Sequence, residues 1–170
     1  MVDFFKYCPM CSTEMVFREE SGVKRRVCPG CGFVQYRNPS PAVGMLVLDG
    51  NRVLLVKRKF EPFKGLWSIP SGFVEYDEDV RTTAVRELRE ETGLEVSIDS
   101  LAAVESCFDD PRGNAILILY TGVVEGGEMT AADDAVDIGY FALDELPPMA
   151  FEAHRKVLSE MADQMPHREG

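Results

Sequence analysis

The stretch RELREETGL, residues 86–94, places Glu87, Glu90 and Glu91 in one short helical segment that ends at a glycine. On a helix the three carboxylates fall within an arc of roughly 100° and point in the same direction. They lie in the last turns, where the helix dipole makes each negative charge unfavourable by about 0.3–1 kcal/mol. A purely structural helix would place Lys or Arg there, so the pattern indicates a bound cation.

The residue types in this cluster indicate which cation it binds. Three carboxylates with no His or Cys among them form an all-oxygen set, which hard divalent cations prefer. We therefore expect Mg²⁺ or Mn²⁺, which can activate a water and neutralise a diphosphate together. From the helix alone, a solvated acidic face paired with Arg86 and Arg89 is an equally good interpretation.

The residues around the cluster define a longer motif. A helix is expected over residues 78–92, with Asp77 as its N-cap and Gly93 as its C-cap. Gly72, five residues, Glu78, seven residues and then RELREETGL match every fixed position of the Nudix box, G-x5-E-x7-R-E-U-x-E-E-x-G-U. The sequence therefore resembles the Nudix hydrolases over residues 41 to about 162, and this motif is the most specific signal in the chain.

The rest of the chain supports an α+β fold. Two apolar, β-branched runs meet at Asp49-Gly50, which predicts a β-hairpin. Three later strands are expected at residues 101–108, 114–124 and 136–143. A last helix is expected from about residue 149 to 161, where His154 is one of the positions that repeat at helical spacing. This order indicates a mixed sheet between helices, as in the Nudix α/β/α sandwich that the resemblance implies.

The resemblance also implies hydrolysis of a nucleoside diphosphate linked to another moiety, by attack of water at phosphorus. Carried over by position, the metal ligands would be the Gly72 carbonyl, Glu87, Glu90 and Glu91. Arg86 and Glu78 would hold the loop–helix–loop in place.

The general base is less determined, because family members use different acids. The candidates in the loop before the last strand are Glu128, Asp133, Asp134 and Asp137. We favour Asp134 as a fourth ligand or base; a solvated loop acid is an equally good interpretation.

Four of the five cysteines lie near the N-terminus, in the pairs CPMC and CPGC separated by sixteen residues. This C-x2-C…C-x2-C spacing suits tetrahedral, structural Zn²⁺. The expected ligands are Cys8, Cys11, Cys28 and Cys31. The sequence between the pairs alternates around Ser21-Gly22 as a hairpin does, so residues 1–38 resemble a zinc ribbon. Residues 39–165 would form the Nudix domain, and residues 166–170 a disordered tail.

The charge distribution restricts the partners. The net charge is −11, with +2 in residues 1–41 and −13 in the remainder, which argues against nucleic acid and anionic membranes. The chain has neither a membrane-length apolar run nor the pattern of a signal peptide, so we expect a cytoplasmic protein with a small nucleotide substrate. The ribbon would serve as a structural or dimerisation module.

Ribbon and box together resemble two groups of Nudix proteins: NADH pyrophosphatases, and ribbon-bearing FAD and ADP-ribose pyrophosphatases. The first group carries an SQPWPFPxS-like segment where this chain has SCFDDPRGNAI from residue 106, so FAD or ADP-ribose is favoured. The products would be a nucleoside monophosphate and a phosphorylated compound. The alternatives are an NADH, NAD or nucleoside triphosphate pyrophosphatase, or a non-catalytic nucleotide sensor. Expected substrate contacts are Arg58, Phe108 and Arg112. Arg58 could equally be surface charge, and for Arg112 a solvated loop arginine is the more conservative interpretation, whereas Phe108 is expected to be exposed.

Overall fold

The computed structural model describes residues 5–132 and 134–164, which form two compact units that divide between Asn38 and Pro39. The tail predicted over residues 166–170 lies outside the described residues, and so does Asp133. Neither of the described helices is long and apolar enough to span a membrane.

The first unit is a small antiparallel sheet of three strands, in the order β1–β2–β3. The strands are β1 (Val16–Glu20), β2 (Val23–Val27) and β3 (Val34–Gln35). Between β1 and β2, Ser21 and Gly22 both have positive φ angles, of 52° and 76°, as a type I′ turn requires. The predicted hairpin is therefore confirmed.

The second unit is a seven-stranded sheet between two helices. Its elements are β4 (Ser40–Asp49), β5 (Arg52–Arg58), β6 (Trp67–Ser68), β7 (Ser71–Phe73), α1 (Val80–Thr92), β8 (Leu94–Cys107), β9 (Ala115–Gly127), β10 (Ala135–Ala142) and α2 (Glu152–Gln164). The five long strands are ordered β10–β5–β4–β9–β8, and the short strands β6 and β7 pair with β5 and β4. Only the β4–β9 pairing is parallel among the described strands, so the predicted mixed sheet is confirmed.

The helices cover opposite faces of this sheet because successive strand residues point to opposite sides. Val43, Met45 and Val47 of β4 pack with Ala84 and Leu88 of α1. The other face of the sheet packs against Ala153, Val157 and Leu158 of α2. Each fully buried Val, Leu or Met side chain contributes about 1.5–3 kcal/mol. These two cores fix α1, and with it the box, against the centre of the sheet.

The start of α1 differs from the prediction. The N-cap is Asp79 and not Asp77: its Oδ1 accepts hydrogen bonds from the N–H groups of Arg81 (2.9 Å) and Thr82 (3.3 Å). Glu78 consequently stays outside the helix, where its side chain is free to bind Arg86. The C-cap prediction is confirmed, since Gly93 has a φ of 72° and donates to the Arg89 carbonyl at 2.8 Å.

Two other boundaries also differ. Strand β8 begins at Leu94 and not at residue 101, and its pairing with β9 shifts register at three places. These irregularities break the strict alternation that sequence patterns detect. Helix α2 begins at Glu152, because the Ala150 N–H is bonded to the Trp67 carbonyl at 2.7 Å and Asp109 accepts the Glu152 N–H at 2.7 Å.

Candidate active site

Arg86 is the hub of the acidic cluster on α1. Its Nε and one terminal nitrogen donate to both Glu78 oxygens, each at 2.8 Å, and this pairing lowers the pKa of Glu78 to about 2. The other terminal nitrogen donates to Glu87 at 2.7 Å and to Glu90 at 2.9 Å. One guanidinium therefore orients three carboxylates and ties the loop before α1 to the helix.

Glu91 lies on the inner side of the same helix and is only 8% exposed. Its Oε2 accepts the Ser71 N–H at 3.0 Å. Burial raises its pKa to about 8, and the negative charges of Glu87 and Asp134 add to that effect. A buried carboxylate among like charges is the situation in which a bound cation is most favourable.

Gly72 allows the cluster to close against β7. A Cβ atom at this position would overlap the Glu87 carboxylate, so any other residue here would require the Glu87 side chain to shift. The backbone of β7 therefore touches two of the box acids, Glu91 through the Ser71 N–H and Glu87 through Gly72. The structure therefore places Glu87 and Glu91 against residues 71 and 72 of β7, and Glu90 beside Glu87 on the Arg86 guanidinium.

Arg58, at the end of β5, lies on the same site. Its Nε donates to the Pro62 carbonyl at 3.0 Å, and its guanidinium lies 5.1 Å from the centre of the Phe151 ring. Burial and the positive charge of Arg112 lower the pKa of Arg58, while Glu91 and Asp134 raise it. This half-buried cation is therefore close to the acidic cluster.

Arg112 belongs to the loop between β8 and β9. Its side chain forms two hydrogen bonds with the largely buried carboxylate of Asp110 through Nε (3.0 and 3.1 Å) and a third through a terminal nitrogen (2.6 Å). Its guanidinium also lies 5.6 Å from the centre of the Phe73 ring, just after Gly72. The structure thus places Arg112 beside β7 and within electrostatic range of Arg58.

Asp134 is exposed and precedes β10. Its carbonyl accepts the Lys59 N–H at 2.8 Å, and Ala132 donates to the Glu91 carbonyl at 3.2 Å. These two bonds hold the loop between β5 and the end of α1, close enough for the Asp134 charge to act on Glu91. Of the other loop acids, Asp137 accepts the N–H of Ile138, the next residue in β10, at 2.9 Å.

Phe108 is 73% exposed, as predicted from its place at the start of a loop. It lines a groove of about 700 Å³ between the end of β8 and α2, together with Asp109, Glu152 and Lys156. These neighbours belong to the α2 face of the sheet. The described contacts do not bring Phe108 to the box acids.

The four N-terminal cysteines form a second cluster, within the first unit. Their Sγ atoms all lie within 4.8 Å of one another, with 3.6 Å between Cys8 and Cys31 and 3.4 Å between Cys11 and Cys28. In a tetrahedral Zn–S4 site the sulfur–sulfur separation is about 3.8 Å. The backbone N–H groups of Met10 and Cys31 point at Cys8 and Cys28, each at 3.4 Å. The cluster therefore has the geometry of a metal site.

Sequence reasoning missed two supports of the active site. Ser71 contributes through its N–H and not its side chain, which no residue pattern reveals. His154 was expected only as part of the repeating face of α2, yet its Nδ1 accepts the Ile69 N–H at 3.1 Å across 85 positions of sequence. The contact between Phe63, in the loop after β5, and Phe151, just before α2, likewise joins distant parts of the chain, with 5.3 Å between ring centroids.

Comparison with known proteins agrees with this fold. Residues 38–161 match the model of the NUDIX domain. An ADP-ribose pyrophosphatase from Methanocaldococcus jannaschii is 44% identical over 126 residues, which are 74% of each chain. A solved NUDIX hydrolase from Nitrosomonas europaea has a TM-score of 0.78 and 29% identity, with 95% of both chains covered.

A further relative is the NAD-capped RNA hydrolase NudC of Pseudomonas aeruginosa, 32% identical over 160 residues. These are 93% of this chain and 54% of that protein, so the chain spans about half the length of this relative. The sheet between two helices and the complete box are those of a NUDIX domain. The chain belongs to the Nudix family and is a Nudix hydrolase.

Proposed function

We propose that this protein hydrolyses the diphosphate bond of a nucleoside diphosphate linked to a second moiety, with ADP-ribose as the preferred substrate class and FAD as the next. The products are a nucleoside monophosphate and a phosphorylated sugar or cofactor fragment. The single observation that carries the proposal is that Arg86 binds both Glu87 and Glu90, while Glu87 and Glu91 lie against residues 71 and 72 of β7. The Methanocaldococcus relative, named an ADP-ribose pyrophosphatase, supports the choice of substrate.

Nudix enzymes use divalent cations, and the donors here suit Mg²⁺ or Mn²⁺. The box glutamates offer oxygen donors only, and the cost of ionising buried Glu91 beside Glu87 is what a cation would offset. We assign Glu87, Glu90, Glu91 and the Gly72 carbonyl as its ligands. When bound, such a cation neutralises phosphate charge and lowers the pKa of a water.

The residues around these ligands have distinct roles in the proposal. Arg86 and Glu78 hold Glu87 and Glu90 in fixed orientations, because the guanidinium binds all three carboxylates. Asp134 is an exposed carboxylate within electrostatic range of Glu91. It therefore serves as a further ligand or as the acceptor of the proton from the attacking water.

Arg58 is the proposed phosphate contact. Its Nε–H donates to the Pro62 carbonyl, and its guanidinium lies 5.1 Å from the centre of the Phe151 ring. A pre-oriented arginine binds a phosphate with little loss of side-chain freedom. Arg112, held by Asp110 and lying over Phe73, is the second proposed contact. Phe108 lies beside α2. It could therefore stack only on a part of the substrate that extends to the α2 face of the sheet.

A second candidate substrate is an NAD-type dinucleotide, free or at the end of an RNA. The observation that favours it is the match to NudC over 93% of this chain. A match of this length must include part of the cysteine-bearing unit. The segment SCFDDPRGNAI, which lacks the element expected of NADH pyrophosphatases, argues for ADP-ribose instead.

A substrate panel with product identification tests the proposal. The protein is incubated with Mg²⁺ and, separately, with ADP-ribose, FAD, NADH, NAD-capped RNA and a deoxynucleoside triphosphate. We expect the highest kcat/KM for ADP-ribose, with AMP and ribose 5-phosphate as products. A higher value for NADH or NAD-capped RNA would establish the second candidate, and no turnover of any compound would refute both.

A further inference from the structure

The peptide that leads into β7 has an unusual hydrogen-bond requirement. Strand β6 pairs with β5, and β7 pairs with β4, so the chain changes partners at Ile69 and Pro70. Ile69 is fully buried, and at this crossing its N–H is outside both ladders. A buried N–H without an acceptor is strongly unfavourable. The acceptor is Nδ1 of His154, at 3.1 Å, from α2 on the far side of the core.

This peptide leads directly to the acidic cluster. Two residues after Ile69, the Ser71 N–H donates to Glu91, and the next residue is Gly72, packed against Glu87. The segment is also held by a hydrogen bond from the Met45 N–H to the Pro70 carbonyl at 3.0 Å. The position of residues 69–72 therefore determines where the backbone contacts Glu91 and Glu87.

The state of His154 suits this role. The ring is 3% exposed, and it packs against the Phe151 ring at 5.0 Å between centroids. Burial lowers its pKa to about 4; Arg58 lowers it further, and Asp109 acts in the opposite direction. The imidazole is therefore neutral at physiological pH. Since Nδ1 accepts a hydrogen bond, the single ring proton is on Nε2.

We propose that His154 is a positioning residue for the hydrolysis: its Nδ1 lone pair fixes the segment 69–72, and that segment holds Glu91 and Glu87 in place. The inference rests on the proposed function, because it concerns the same site. A histidine present only to fill the core would need its ring volume but not an acceptor at Nδ1. That difference separates the two roles experimentally.

Two substitutions separate the role of Nδ1 as a hydrogen-bond acceptor from the role of the His154 side-chain volume. In His154→Asn the Oδ1 atom occupies about the place of Nδ1 and can accept the Ile69 N–H, whereas His154→Leu keeps a similar volume without an acceptor. For ADP-ribose hydrolysis with Mg²⁺, we expect a kcat about 10-fold lower in His154→Leu, with KM changed less than about threefold. His154→Asn should retain kcat within about threefold of the wild type.

A second readout needs no substrate. Calorimetric titration with Mn²⁺ should give a Kd about 10-fold higher for His154→Leu and a nearly unchanged Kd for His154→Asn. Equal effects of both substitutions, or no effect of His154→Leu on either kcat or the Mn²⁺ Kd, would overturn the inference. If the wild type binds Mn²⁺ but hydrolyses nothing in the panel, the proposed function fails while this comparison still decides the role of His154.

A third measurement covers the case in which His154→Leu does not fold. Nitrogen-15 NMR of the wild-type imidazole, assigned by the loss of its signals in His154→Asn, reports which ring nitrogen is protonated. The proton on Nε2 at neutral pH is the expected result. A proton on Nδ1 would overturn the inference, because that nitrogen could not then accept from Ile69.

Discussion

Replacing Glu91 with Gln should change how the stability of the metal-depleted protein depends on pH. Raising the Glu91 pKa from 4.5 to about 8 corresponds to about 5 kcal/mol that favours the protonated carboxyl in the folded state. This stabilisation is fully present below pH 4.5 and is lost as the pH rises through 8. The wild type should therefore lose about 3 kcal/mol of unfolding free energy from this group between pH 5 and pH 8.

The amide introduced by Glu91→Gln cannot ionise, but its oxygen can still accept the Ser71 N–H. From pH 5 to pH 8, the free energy of unfolding of Glu91→Gln should therefore rise by about 3 kcal/mol relative to that of the wild type. Urea unfolding, followed by the fluorescence of Trp67, the single tryptophan, measures this difference. The buffer is depleted of Mg²⁺ without a chelator, so that any metal bound by the four cysteines is retained. Glu145→Gln, which removes an exposed acid, is the control. Parallel pH profiles for Glu91→Gln and the wild type would show that the pKa of Glu91 is not raised in the folded protein.

Three further predictions concern other parts of the molecule. Gly72→Ala should lower kcat for ADP-ribose at least about 100-fold while the circular dichroism spectrum is retained, because the new Cβ displaces the Glu87 carboxylate; wild-type turnover would contradict this. Arg58→Ala should raise KM for ADP-ribose about 10-fold with a smaller change in kcat, as loss of a phosphate contact predicts, and an unchanged KM would exclude that role. Elemental analysis should find one zinc per chain, and Cys28→Ser should reduce it; freshly purified protein without zinc would refute the assignment.

The parts of the structure that were predicted from sequence depend on local spacing. The first hairpin turns at Ser21-Gly22, where both residues have positive φ, and the second turns at Gly50-Asn51, one residue later than predicted, where Gly50 has a φ of 62°. The helix that carries Glu87, Glu90 and Glu91 follows from helical periodicity, and Gly93 ends it as a C-cap. These features were predictable because each is determined within one turn or one helix.

The remaining features depend on contacts between distant residues. Asp77 and Asp79 are both suitable caps, and the choice falls on Asp79, which leaves Glu78 outside the helix to bind Arg86. The early start of β8 is hidden by its shifts of register against β9. The bond between Ile69 and His154 joins positions 85 residues apart, and sequence periodicity assigns His154 only to a buried face. Local patterns contain no information about such pairings.

In the proposed function, the box glutamates bind the divalent cation that promotes hydrolysis of the diphosphate. The most direct test is single-turnover hydrolysis of ADP-ribose with Mg²⁺ by the wild type, Glu90→Gln and the exposed-acid control Glu145→Gln. Glu90→Gln keeps the size of the side chain but not its charge. We predict a rate at least about 100-fold lower for Glu90→Gln and an unchanged rate for Glu145→Gln, with both proteins folded. Equal rates for Glu90→Gln and the wild type would contradict the claim.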